Sequence, residues 1–124
     1  MSDDIAAALL SANEAFYDAF DTADLDAMRA IWATEHDVVC LHPGAAPIFG
    51  RESVLQSWYD ILSAPVRPAI QCVDARAIAL GQSGMVVCRE VLRGGHLAAT
   101  NIFVRESGVW RIVHHQAGPV SPGR

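Results

Sequence analysis

The sequence predicts an α+β domain in which helices come first and an antiparallel sheet follows. Apolar residues recur at three- and four-residue steps in the first half, the helical period, and alternate in the second half, the strand period. The change falls at Pro65 and Pro68. Beyond it lie the short breaks GQSG, GG and ESG, spaced as tight hairpin turns. Helices followed by strands is the α+β order. One domain over residues 1–124 suits this length, and a chain of that size can bury roughly two-thirds of its unfolded surface without a disulfide or metal.

The first helix is predicted over Asp3 to Phe20. Ile5, Leu9, Ala12, Phe16 and Phe20 form one apolar stripe along it. Asp24 is placed to cap a short second helix, Leu25 to Trp32. DVVCLHP reads as a short strand stopped by Pro43-Gly44. A third helix over Glu52 to Leu62 carries Val54, Leu55, Trp58 and Leu62 on one side. Four strands follow, at 69–80, 85–93, 96–105 and 109–117.

Two-residue turns at Gln82-Ser83, Gly94-Gly95 and Ser107-Gly108 set the expected register, because side chains alternate between faces. Cys88 then lies opposite Asn101, and Asn101 opposite His114. Glu90 lies opposite Ala99, and Ala99 opposite Gln116. Phe103, Trp110 and Ile112 share that face, with Ala75, Ala77 and Ala79 leaving room above it. The other face carries Ile78, Val87, Ile102, Val104 and Val113 with Arg76, Arg89, Arg111 and His115. It is too apolar to stand in water, so a homodimer through this outer face is expected.

Charge removes several functions. The net charge is −5, with nine acids and one base in residues 1–37. An acidic first third argues against nucleic acid as partner. The absence of lysine removes Schiff-base chemistry and a Walker-type phosphate site. Cys40, Cys72 and Cys88 form no CxxC pair and read as buried, reduced thiols of a cytoplasmic protein. MSDDIAAALL lacks the basic start of a secretory signal, and no apolar run is long enough to span a membrane. No cofactor motif is present, and no HxH or HExxH spacing supports a metal at His42, His114 and Glu90.

Four stretches, AFYDAFDTADLDAMRAIW, VVCLHPGAAPIFGRESVLQSW, ATNIFVRESGVW and WRIVHHQAGP, in this order and spacing, resemble the nuclear transport factor 2-like superfamily. Within it the chain looks most like the SnoaL-like and ketosteroid-isomerase-like proteins. The resemblance implies a cone-shaped α+β barrel, its curved sheet wrapping a pocket closed by the helices, and often a dimer. It also implies an activity drawn from isomerases, cyclases, hydrolases and dehydratases, or a binding domain with no catalysis. In ketosteroid isomerases the residue before the first-strand proline is an aspartate acting as general base; here it is His42. Their helix-one oxyanion tyrosine corresponds to Phe16, with Tyr17 beside it, and the strand at 97–104 lacks their second acid.

His42 is thus the first catalytic candidate, since an imidazole accepts a proton near neutral pH; packing against the Pro43-Gly44 turn is the alternative. His114 and Asn101 are candidate polar partners that orient a ligand or stabilise an enolate-like intermediate. The alternative is a self-satisfied network of Glu90, Asn101, His114 and Gln116. Glu90, Cys88 and Gln116 border the same pocket. Trp32, Trp58, Trp110, Phe16, Phe20 and Phe103 either line an apolar site or form plain core. Tyr17 offers a hydroxyl to the pocket or sits on its wet rim. Arg51, at a helix start, suits an anion or a salt bridge with Glu52 or Asp60. The expected ligand is a small, largely apolar molecule.

Overall fold

The computed structural model describes residues 2–121. Helix α1 spans Ser2–Asp21 and α2 spans Leu25–Ile31; strands β1, Val39–Leu41, and β2, Ile48–Phe49, precede α3, Arg51–Leu62. The long strands are β3, Gln71–Leu80, β4, Ser83–Leu92, β5, Gly95–Glu106, and β6, Val109–Pro119. They form one open six-stranded sheet in the order β2-β1-β6-β5-β4-β3. All pairs are antiparallel except β1 with β6. The predicted α+β layout is therefore the observed one, with the two-residue strand β2 added.

The helical stripes become the core. Leu9, Phe16 and Phe20 of α1 are buried, as are Val54, Leu55, Trp58 and Leu62 of α3. Burying a side chain of this size stabilises by roughly 1.5–3 kcal/mol. Helix α1 packs against β3, β4 and β6. It comes so close to β4 that a Cβ added at Gly84 would lie 2.5 Å from Leu9 Cδ1. Asp24 caps α2 as predicted, accepting the Ala27 amide at 3.0 Å.

Arg51 forms no ion pair with Glu52 or Asp60 among the described residues. Its Nη2 donates to the Arg29 carbonyl at 2.7 Å, and Arg111 Nη1 donates to the Ala30 carbonyl. Both satisfy carbonyls that the last turn of α2 leaves unpaired. Glu106, 3% exposed at the end of β5, holds the loop after α2. It accepts the Thr34 and Glu35 amides at 2.9 Å each, the Thr34 hydroxyl at 3.3 Å, and His36 Nδ1 at 2.8 Å.

The register differs from the expected one in four places. The first two turns fall at Gly81-Gln82 and Arg93-Gly94, so Leu80 pairs with Ser83 and Leu92 with Gly95. Gly81 takes φ 76°, which a glycine accepts without strain. Two glycines in a row permit either placement of the second turn. Each change moves the ladder by an even number of residues, so the inward set survives while its partners change. Cys88 pairs with Ala99 and Glu90 with Leu97. The third difference, a one-residue bulge between Val73 and Arg76, brings Cys72 opposite Glu90.

The fourth difference, on β6, reverses the face of the histidines. Strands β5 and β6 follow the expected register down to Phe103–Ile112; a bulge then leaves Val113 unmatched and pairs Ile102 with His114. A bulge adds one residue to one strand, which swaps the sides of everything beyond it. His115 therefore faces inward, opposite Asn101, and His114 and Gln116 face outward. The bulge falls where the free edge of β6 changes partner, from Trp32 at Ile112 to β1 at His114.

Candidate functional site

Between α1, α3 and the inner sheet face lies a cavity of ≈ 250 Å³. Phe16, Phe20 and Trp58 supply apolar wall, and His42, His115, Glu90 and Tyr17 are the ionisable groups on it. Trp58 links the imidazoles: its ring lies 4.8 Å from that of His42, edge-on, and 5.8 Å from that of His115. A larger, open groove of ≈ 1060 Å³ lies between α1 and the β3 edge, bordered by Glu14, Asp18, Asp21 and Arg93. It shares Tyr17, Ile70 and Leu92 with the cavity.

Behind the cavity runs a buried polar chain. Tyr17 Oη donates to Glu90 Oε2 at 2.6 Å. Asn101 Nδ2 lies 3.3 Å from that Tyr17 oxygen and 2.8 Å from Asn13 Oδ1. Asn101 Oδ1 meets His115 Nδ1 at 2.6 Å. A carboxylate only accepts, so the Tyr17 proton points at Glu90 and its oxygen accepts from Asn101 Nδ2. The carbonyl of Asn101 then faces His115, whose Nδ1 must carry the hydrogen. His115 Nε2 keeps its lone pair and has no hydrogen-bond partner among the described residues.

His42 is fixed by the same logic. Ser57 Oγ donates to the Val54 carbonyl at 2.7 Å, which only accepts. His42 Nε2, 2.9 Å from Ser57 Oγ, must be the donor there. His42 Nδ1 keeps its lone pair and meets only the Cys40 sulfur, at 4.0 Å, among the described residues.

Burial lowers the pKa of His42. Burial, then positive charge on His42 and His114, lowers that of His115 to about 3. Both imidazoles are therefore neutral at physiological pH. Burial raises the pKa of Glu90, and the Tyr17 hydrogen bond only partly offsets it. Burial, then the Glu90 charge, raises Tyr17 far above its ordinary value. Cys88 is lowered, first by its hydrogen bond with Cys72 and then, against burial, by that with Tyr17.

Of the residues singled out in the sequence, His42, Glu90, Tyr17 and Trp58 meet at the cavity. Tyr17 is 8% exposed, so it is not on a wet rim. Asn101 and Cys88 stand behind the cavity, bonded to Tyr17. Trp32 and Phe103 are fully buried core, and Trp110 lies half-buried beneath Arg105, 4.7 Å from its ring. His114 and Gln116 are on the outer face and do not join the chain. Asn13, Ser57 and His115 complete the site. Asn13 was visible as a polar residue four positions from both Leu9 and Tyr17, inside the helical stripe.

Three helices packed on an open, mostly antiparallel six-stranded sheet are the fold shared with NTF2-like and cystatin-like structures. The chain belongs to the SnoaL-like domain family, whose sequence model matches residues 9–121. A candidate dehydratase of the NTF2-like family from Streptomyces avermitilis superposes with a TM-score of 0.90, at 28% identity over 98% of this chain and 99% of that one. A candidate calcium/calmodulin-dependent protein kinase type II association domain from Thiobacillus denitrificans is 35% identical, with a TM-score of 0.77 over 89% of this chain and 93% of that one. A candidate ketosteroid isomerase from Parabacteroides distasonis shares the fold at 14% identity and a TM-score of 0.69, covering 88% of this chain and 85% of that one. The F-box protein SKIP8 of Arabidopsis thaliana is 28% identical over 112 residues, 89% of this chain. The chain spans about half the length of that plant relative, 48%.

Proposed function

We propose that the cavity takes a small, largely apolar molecule and that His42 acts on it as a general base, in a reaction of the isomerase, cyclase or dehydratase kind. The observation that carries this is the His42 tautomer. Ser57 holds Nε2–H, burial keeps the ring neutral, and Nδ1 stays free to take a proton. The volume is just under the range of roughly 300–1,000 Å³ usual for drug-sized ligands. It exceeds the ~150 Å³ in which an apolar cavity holds benzene, so a single substituted ring fits. The Streptomyces avermitilis candidate dehydratase agrees with this class of chemistry.

Native and denaturing mass spectra of the purified protein test the binding step; a discrete mass lost on denaturation identifies the ligand. With the ligand's reaction in hand, His42→Gln should lose turnover at least a hundredfold while keeping its fold. Full turnover in that variant would end the role of His42.

A second reading is a non-catalytic association domain that pairs with a second copy of the chain. The Thiobacillus denitrificans relative favours it, as does the outer face, where Ile78 and Val87 are exposed. Light scattering at micromolar concentration decides it: a monomer would exclude that face as a self-pairing surface.

A further inference from the structure

The two histidines on the cavity wall have both given their hydrogens away from a ligand. His115 Nδ1–H is held by Asn101 and His42 Nε2–H by Ser57. The Tyr17 hydroxyl is held by Glu90. What the two rings offer in return is one lone pair each, beside the carboxyl of Glu90; Trp58 adds an Nε1–H that has no partner among the described residues. An enzyme that builds an enolate beside a carbonyl needs the opposite, donors aimed at the oxygen where charge develops. Here a carbonyl oxygen set against His42 or His115 would meet a lone pair.

We infer that the cavity selects a single-ring apolar molecule bearing a hydroxyl group, which donates its hydrogen bond to His42 or His115, and that it discriminates against carbonyl compounds of the same size. This rests on the reading of the cavity as a ligand site and names the ligand class for it. The proton within reach of His42 Nδ1 is then the hydroxyl proton. A site built to accept from a hydroxyl rejects the analogue lacking it, because a buried acceptor is left unpaired. Asn101 and Ser57 are positioning residues: each touches an imidazole and sets which nitrogen accepts.

The test titrates the purified protein with phenol, anisole and acetophenone by calorimetry, following His42 and His115 ring signals by NMR. Phenol should bind at least tenfold more tightly than either of the others and shift both histidines. In His42→Phe the preference for phenol should fall severalfold, and Ser57→Ala, which frees the tautomer without removing the ring, should weaken it in the same direction. Equal or tighter binding of anisole or acetophenone would overturn the ligand class while leaving the cavity a ligand site. No binding of any of the three at millimolar concentration would overturn the cavity reading and this inference with it.

Discussion

Asn101 Oδ1 lies 2.6 Å from His115 Nδ1, and this bond joins the buried polar chain to the cavity wall. Asn101 is fully buried and also serves Asn13 and Tyr17. Its amide thereby carries a choice made at Glu90, more than one side chain away, to the ring nitrogen that faces a ligand.

Asn101→Leu should destabilise the fold by roughly 2–4 kcal/mol, since three buried polar partners lose their bonds at once. Urea unfolding reads this directly. A loss under about 0.5 kcal/mol, the scale of an ordinary surface substitution, would mean that the chain is not assembled as described.

Stability should fall as the pH drops from 6.5 toward 3. His115 is neutral when folded, down to about pH 3, while the unfolded chain takes up its proton near 6.5. The unfolded state thus binds more protons in that window and gains on acidification. One such group contributes a slope of about 1.4 kcal/mol per pH unit. His42 and His114, also lowered, add in the same sense, and Glu90, raised, opposes it. Urea midpoints at several pH values should show a clearly flatter slope in His115→Gln; an unchanged slope would place the titration elsewhere.

Glu106 acts in a lower window. Burial alone would raise its pKa, but bonds from His36, the Thr34 and Glu35 amides and the Thr34 hydroxyl win and hold it at about 2. Its contribution is present above the ordinary value of 4.5 and is lost as pH falls toward 2. Glu106→Gln should cost roughly 1–3 kcal/mol at pH 7 and reduce the acid sensitivity below 4.5. Amide exchange at Thr34 and Glu35 should accelerate in the variant; unchanged protection there would contradict the latch.

Deleting Val113 should straighten the end of β6 and leave His115 facing inward, because the unmatched residue is the one removed. The imidazole pKa read by NMR is the check. A value remaining well below 6.5 supports the bulge at Val113, and an ordinary value would place the bulge elsewhere.

The helices, the antiparallel ladder and the His42 strand end were legible because each rests on local periodicity or on a turn residue. Even the two misplaced turns kept Cys88, Glu90 and Asn101 inward, since both errors were even in number. The bulge was not legible. VHH carries no glycine or proline to mark it, and its cause is the change of partner along the far edge of β6, which is tertiary. That one residue decided which histidine joined the site. Ser57 was hidden for a related reason: nothing in α3 announces which strand end it meets.

The bulge also gives the histidine doublet a meaning of its own. If the last rungs of β6 slid by one position, smoothing Val113 into the ladder, His114 would turn inward as His115 turned out. An imidazole would still stand on the cavity wall. Register errors ordinarily erase a site, since they exchange a working side chain for whatever sits next to it. Two identical neighbours make this strand fault-tolerant at the one place where its pairing is irregular.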